Sequence, residues 1–265
     1  MKAKVPLLSL AFLVFASPLL RAQDDEAPVY TQRLFYIDVH PGKNGEWREL
    51  IRETTMKVAQ MRANSGEILS WTLLQSVYPS GEEARSDYLI SVISSGLPRE
   101  YEKSFPASLE PAGSSMSPYE RAVRNSEYSN RVSSELWQPR IYNGSAAVGN
   151  YISLNLMRVH DWDLIGETTS KWSPLSQEMI KRGGLSGWVF GTKRFPSGTD
   201  VEYQAYSANI YPTMEDAFKG FGMSQIFDKV HPDLDIDEFR SKLPKARDIA
   251  RREFWRVVER VSKSN

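Results

Sequence analysis

The sequence repeats itself at long range, and the repeat fixes the size of the folding unit. Trp71, followed by Tyr78-Pro79-Ser80-Gly81, returns as Trp188 followed by Phe195-Pro196-Ser197-Gly198. Glu49-Leu50-Ile51, Glu53-Thr54-Thr55 and Lys57 return as Asp163-Leu164-Ile165, Glu167-Thr168-Thr169 and Lys171. Asp87-Tyr88 returns as Glu202-Tyr203, and Glu135-x-Trp137 as Glu253-x-Trp255. The blocks keep their order at nearly constant spacing, as duplication of one unit of roughly 115 residues would leave them. A unit of that size is a small domain, too long for a solenoid repeat.

Each copy carries the same alternation of patterns. In the first, Val29 to His40 alternates with period two and reads as a strand. Arg33, Phe35, Ile37 and Val39 fall on one face, and Leu34, Tyr36, Asp38 and His40 on the other. Glu46 to Ala63 has helical spacing and stops at Asn64-Ser65-Gly66. Ile68 to Tyr78 and Asp87 to Ser94 form a hairpin around Pro79-Ser80-Gly81. Residues 97 to 136 read as helix broken at Ala112-Gly113-Ser114-Ser115, with one helix from Tyr119 to Leu136. Trp137 to Tyr142 reads as a short strand that Pro139 confines to an edge or terminus.

The second copy follows suit. Tyr151 to His160 is a strand, and Trp162 to Lys181 a helix kinked at Ser173-Pro174. Leu185 to Phe195 and Val201 to Tyr211 form the hairpin; Met214 to Val230 and Ile236 to Glu253 are helical, with a break at Pro244. Trp255 to Val261 fits strand or helix. The joint falls at Asn143-Gly144-Ser145, which also matches an N-glycosylation acceptor. The organisation expected is a signal peptide at 1–22, a disordered leader at 23–28, one unit at 29–143 and a second at 144–265.

The export signal rests on Lys2 and Lys4 ahead of an apolar run from Val5 to Ala16, and on Leu20-Arg21-Ala22 before Gln23. The run is shorter than the ~20 residues of a membrane-spanning helix, so stable insertion after cleavage is not expected. A periplasmic or extracellular location follows, and the absence of cysteine is compatible with it. The chain has 33 basic and 33 acidic residues; losing Lys2, Lys4 and Arg21 leaves it slightly acidic. Nucleic-acid binding, which draws on a basic excess, is not expected.

The β-α-β-β-α(-β) order of each unit is the ferredoxin-like order, an antiparallel sheet with helices on one face. Two such sheets must cover each other's bare faces. With its paired Trp71 and Trp188 hairpins, the chain resembles the dimeric α+β barrel superfamily. That superfamily includes the NIPSNAP proteins, the antibiotic-biosynthesis-type monooxygenases, and the haem-binding chlorite dismutases and dye peroxidases. The resemblance implies an α+β fold in which two tandem units form one barrel within the chain. It brings no catalytic residues, because no family-specific motif is present.

The face opposite the helices is the one on which chemistry could sit. That face is expected to hold Tyr36, Asp38 and His40 on the first strand, and Ser153, Asn155 and Met157 on its counterpart. Tyr203, Ser207, Asn209 and Tyr211 are expected from the late strand. Such polar and aromatic groups pointing into a barrel would suit a small-molecule ligand, with Tyr36, Asp38, His40, Asn155, Tyr203, Ser207 and Asn209 as its contacts. Asp38, His40 and Tyr203 are the candidates for acid–base work. Trp71 and Trp188 read as core residues, and Lys242 to Arg252 as a solvated helical face.

Three histidines, His40, His160 and His231, lie in no metal-ligand spacing, so no metal site and no cofactor is expected. Haem would need His40 or His160 inside the barrel. Hydrolase, nucleotide-loop and zinc-protease motifs are absent. Three functions stay open: a small-molecule binder, a cofactor-independent oxygenase or isomerase, and a non-catalytic envelope protein with a filled barrel. Homo-oligomerisation is compatible with each. Intact-mass analysis of protein from the native host is expected to give a chain beginning at Gln23; a mass retaining residues 1–22 overturns cleavage at this site.

Overall fold

A computed structural model describes residues 29–97, 104–220 and 222–263. The proposed signal peptide and leader lie outside these residues. Eight antiparallel strands close into one barrel in the order β1-β3-β2-β8-β5-β7-β6-β4. The first half supplies β1 (Tyr30–Val39), β2 (Ser70–Tyr78), β3 (Tyr88–Ser95) and β4 (Ser129–Gly144). The second supplies β5 (Tyr151–Val159), β6 (Gly187–Phe195), β7 (Ala205–Tyr211) and β8 (Arg247–Ser262). Within each half the order is the ferredoxin-like one. β4 joins β1 to β6, and β8 joins β5 to β2, so each long last strand stitches the halves together.

Helices cover the outer faces. Helix α1 is α-helical over Asn44–Leu50, widens to a π-helix over Ile51–Met56, and resumes over Lys57–Asn64. Helix α2 spans Pro118–Tyr128, with Ser117 as cap: its hydroxyl accepts from the Glu120 N–H at 3.2 Å. In the second half α3 spans Trp162–Lys181, α4 Met214–Phe218, α5 Met223–Val230 and α6 Ile236–Ala246. Asp161 caps α3 and Asp235 caps α6, each carboxylate accepting two backbone N–H groups.

The early elements lie where their periodicity placed them, and the ends of the two units do not. The helix expected to reach Leu136 stops at Tyr128, and β4 starts at Ser129. The helix expected to reach Glu253 stops at Ala246, two residues after Pro244, and β8 takes the rest. Both strands begin with polar, charged residues whose spacing suits a helix face. Pairing with β1 and with β5, respectively, overrides that local preference. Pro139 pairs with Gly191 of β6 and lies past Trp137, where the pairing with β1 ends, so one of its edges is free as expected. The β4–β6 register shifts between Pro139 and Ile141, and a bulge accommodates the missing N–H. Helix α3 runs through Pro174 without interruption, and Met214 to Val230 divides into two short helices.

The lumen is packed. Leu34, Tyr36, Leu74, Leu89, Trp137, Leu154, Leu156, Tyr206, Trp255 and Val257 fill it as one cluster. Gly191 is glycine because an added Cβ would come 2.5 Å from the Tyr206 ring. The space left is about 70 Å³, room for a few waters and too little for an organic ligand.

The segment taken as a joint between units is the end of β4. Gly144 pairs with Gly187 across β4–β6. Its φ of +73° is left-handed, and a Cβ there would lie 2.2 Å from the Ser186 carbonyl oxygen. Asn143 is not free for glycosylation: its amide nitrogen donates to Ser173 O, Ser173 Oγ and Ser176 Oγ on α3. Gly144→Ala is expected to destabilise the protein by about 3 kcal/mol or more, adding backbone collision to left-handed strain. Gly149→Ala, at φ +92° with nothing within 4 Å, should cost only the strain, about 1 kcal/mol. Urea unfolding of both variants reads the difference; equal losses would refute the close-approach argument.

Candidate functional site

Each half has a cavity between its outward sheet face and its helices. Cavity one has a volume of about 340 Å³. Its floor is Phe35 and Ile37 of β1, Ile90 and Val92 of β3, and Trp71 of β2. Its roof is Trp47, Ile51 and Thr55 of α1, with Phe105 and Pro106 at one side. Arg121 and Asn125 of α2 and Ser129 and Arg131 of β4 complete the rim. The Arg121 guanidinium lies 4.3 Å from the Phe105 ring centre, and that of Arg131 lies 4.9 Å from Phe35.

The π-helical turn belongs to this cavity. Such turns mark functional sites in many helices, and here Ile51 and Thr55 lie within it. Thr54 donates to the Leu50 carbonyl, a bond within the helix. Thr55 Oγ1 and Trp47 Nε1 are different: both are buried and neither has a hydrogen-bond partner. Thr55 is 7% and Trp47 1% exposed. Each unsatisfied group costs about 1–3 kcal/mol, and both line an apolar chamber of ligand size.

Cavity two, about 230 Å³, occupies the matching place in the second half. Trp188 stands where Trp71 stands, and Thr168 and Thr169 where Thr54 and Thr55 stand. The floor has changed chemistry. Asn155, Met157, Ser207 and Asn209 replace the first half's Phe35, Ile37, Ile90 and Val92. Trp172, Phe190 and Leu243 supply apolar walls, and Arg247 and Arg252 the charge. Arg252 Nε donates to Asn155 Oδ1 at 2.7 Å, and Asn155 Nδ2 to Ser207 Oγ at 3.4 Å.

The structure therefore divides the residues expected to share one pocket. Tyr36 and Tyr203 face the lumen. Ser153, Asn155 and Met157 do not: on β5 the lumen side is Ile152, Leu154 and Leu156. On β7 the lumen side is Tyr206, Ala208 and Ile210, so Ser207, Asn209 and Tyr211 also face outward. Asn155, Ser207 and Asn209 do converge on a cavity, but the outer one. The premise that polar side chains face inward fails because the lumen is the drier compartment.

Asp38 is exposed at the barrel mouth, its carboxyl raised by partial burial and by the Asp87 charge. No hydrogen bond joins it to His40 among the described residues. His40 lies instead between the Glu127 carbonyl, 2.8 Å from Nδ1, and Asn130 Nδ2, 3.0 Å from Nε2. His160 pairs with Asp248 at 2.9 Å, and His231 Nε2 lies 2.9 Å from the Lys171 carbonyl. None of the three lines either cavity or the lumen, so the residues present do not fit a haem iron seeking an axial histidine. Among the described residues no cluster of three metal-ligating side chains exists.

The recurring Glu-x-Trp block marks a charged cluster in the lumen that sequence reasoning passed over. Glu135 Oε2 accepts from Trp137 Nε1 at 3.0 Å, and Glu253 Oε2 from Trp255 Nε1 at 3.1 Å. Glu135 also accepts from Arg85 and Lys193, both at 2.8 Å, and from the Tyr203 hydroxyl at 2.7 Å. Arg85 also contacts the Tyr203 hydroxyl and stacks 3.6 Å from the Tyr36 ring centre. Burial pushes the Glu135 carboxyl up, but the Arg85 charge and the three hydrogen bonds outweigh it and hold it below the usual range. Glu253 has Arg251 at 2.7 Å, and there burial prevails and raises the carboxyl. Burial, then Glu135, raises the Tyr203 hydroxyl far beyond neutral pH, so it is no base. Through Glu135, Arg85, Lys193 and Tyr203 this cluster ties the halves together.

No known protein-family profile matches the sequence, and no curated protein does. Solved structures share its fold. A candidate monooxygenase from Fusobacterium nucleatum subsp. nucleatum is 10% identical, with TM-score 0.53 over 90% of this chain and 95% of that one. A candidate monooxygenase from Lactobacillus acidophilus is 12% identical, with TM-score 0.49 over 90% and 98%. An anthrone oxidase-like protein is 15% identical, with TM-score 0.49 over 91% and 95%. The chain shares its α+β barrel fold with the Fusobacterium nucleatum protein, and both halves of the barrel come from this one chain.

Glu135→Gln leaves Arg85 and Lys193 buried without their counter-charge, and a loss of about 3–5 kcal/mol is expected at neutral pH. A carboxyl held low in the folded state stabilises above its unfolded pKa, about 4.3, and that contribution fades as pH falls through the lower folded value. The gap between parent and variant should therefore narrow below about pH 4. Thermal unfolding at neutral and acid pH measures it; a gap that widens on acidification contradicts the assignment.

Proposed function

We propose that this protein binds a ring-bearing small molecule in cavity one, and that the barrel is a filled scaffold. One observation carries the reading: Trp47 Nε1 and Thr55 Oγ1 lie buried and unpartnered in an aromatic chamber of about 340 Å³. A ligand carbonyl or phenol oxygen would satisfy these groups while its rings take the place of water against Phe35, Trp47, Trp71 and Phe105. Export through the N-terminal signal is part of the proposal, resting on the basic and apolar pattern of residues 1–22. No described helix is long and apolar enough to cross a membrane.

A cofactor-independent oxygenase is the second reading. It is favoured by the fold shared with a candidate monooxygenase and with the antibiotic-monooxygenase and NIPSNAP resemblance of the sequence. It lacks a base: cavity one presents no aspartate, glutamate or histidine among its lining residues. Oxygen chemistry there would have to rely on a ligand acidic enough to lose its own proton.

Anthrone, a planar ketone, tests both readings. Saturable quenching of tryptophan fluorescence is expected. Thr55→Val should weaken it about tenfold, the worth of one hydrogen bond, while leaving unliganded stability unchanged or raised by about 1 kcal/mol. Weakened stability with unchanged binding would refute the assignment. Oxidation would consume one O₂ per anthrone, placing one oxygen atom in the new carbonyl of anthraquinone and releasing the other as water. Oxygen uptake that Thr55→Val slows would move the conclusion to the oxygenase.

A further inference from the structure

Cavity two has a charge imbalance that its fold does not explain. Arg247 and Arg252 both line it, and no carboxylate does. They come to one face through a bulge in β8: Val159 pairs with Arg247 and Asn155 with Arg252, with a register shift between Leu156 and Met157. Among the described residues, Arg247 makes no ion pair and no side-chain hydrogen bond. It is half-buried under α3 and α6, and burial, then the Arg252 charge, depresses its pKa. An arginine so placed gains nothing from the fold. Its guanidinium offers paired donors suited to a carboxylate or phosphate.

The floor is prepared for the same kind of solute. Asn155 binds Arg252 through its oxygen, which fixes that side chain and turns the amide toward Ser207. Asn209 lies beside them on β7. Trp172 and Trp188 leave an apolar wall against which a ring can lie. The chamber shares Asn155, Asn209 and Arg252 with a wider cleft of about 770 Å³ that also takes in Tyr78, Tyr211 and Phe218. That cleft is a route of entry from solvent.

We infer that cavity two is a binding site for a small organic anion, a carboxylate or phosphate held by Arg247 and Arg252 over the Asn155–Ser207–Asn209 floor. Its polar floor separates it from cavity one, whose floor is apolar and whose arginines, Arg121 and Arg131, lie at the rim. A chain with one repeated scaffold thus offers two unlike ligand chambers.

Isothermal titration calorimetry of the full mature chain with sodium benzoate, and separately with inorganic phosphate, tests the site at low ionic strength. Saturable binding of at least one anion, with a dissociation constant of about 1 mM or tighter, is expected. Benzoate alone identifies a carboxylate site with a ring wall; phosphate alone identifies a phosphate site. Arg247→Met should weaken binding at least about tenfold and Arg247→Lys less. Arg240→Gln, which removes an exposed charge paired with Asp237 on α6, should change nothing. Asn209→Asp, which sets a carboxylate in the floor, should abolish binding and gives an independent answer if Arg247→Met does not fold. Absence of saturation by both anions up to about 10 mM overturns the site. So does binding that survives both Arg247→Met and Asn209→Asp, or that Arg240→Gln weakens equally.

Discussion

Everything in this molecule depends on ring closure by β4 and β8. Each strand pairs on one edge with its own half and on the other with the opposite half. A ferredoxin-like sheet has one bare face, and closure turns both bare faces inward onto each other. No sheet edge is left, so the barrel needs no partner to cap it. The constraint also explains the interior. Once Tyr36, Trp137, Trp255 and Tyr206 fill it, nothing larger than a few waters fits, and the charged groups inside must satisfy one another. Glu135 does so across the halves, from β4 to Lys193 of β6 and to Tyr203 ahead of β7.

A filled lumen moves ligand chemistry to the outer faces, where each sheet meets its helices. There the two halves share a frame and differ in chemistry. Trp71 and Trp188 hold equivalent places, and so do the Thr-Thr pairs of the first helices. The difference lies in side chains that alternate with the lumen residues. Phe35 and Ile90 give one floor its apolar character; Asn155 and Ser207 give the other its polarity. Because period-two alternation sends neighbours to opposite faces, the outer residues could change without disturbing the lumen.

Much of this architecture was legible in the sequence. Helical and alternating patterns placed β1, the hairpins and the long helices, and the recurring blocks fall on corresponding elements of the two halves. The last strand of each half was not legible. Its residues, from Ser129 to Leu136 and from Arg247 to Glu253, are too polar to read as strand, and only their pairing with β1 and with β5 makes them one. The site was half legible. Asn155, Ser207 and Asn209 do form one group, but a single step in strand phase sends them to the opposite side. Arg247 and Arg252 were hidden inside the apparent helix. Trp47 and Thr55 gave no signal, because an unpartnered hydrogen-bonding group exists only once the packing around it is known. The Glu-x-Trp recurrence was the available pointer to the lumen cluster: a buried acid two residues from a tryptophan can bond its indole on the same strand face.

The lumen cluster and the cavities use the same elements for opposite ends. In the lumen every strong charge has its counter-charge at hydrogen-bond distance, and the arrangement is self-sufficient. In cavity one two neutral donors stay unmatched, and in cavity two Arg247 does. A buried group without a partner lowers stability, and a ligand that bonds to it recovers that cost. The floors differ between the halves, apolar in one and lined by amides and a hydroxyl in the other. That difference assigns the two chambers to different ligands more strongly than their sizes do.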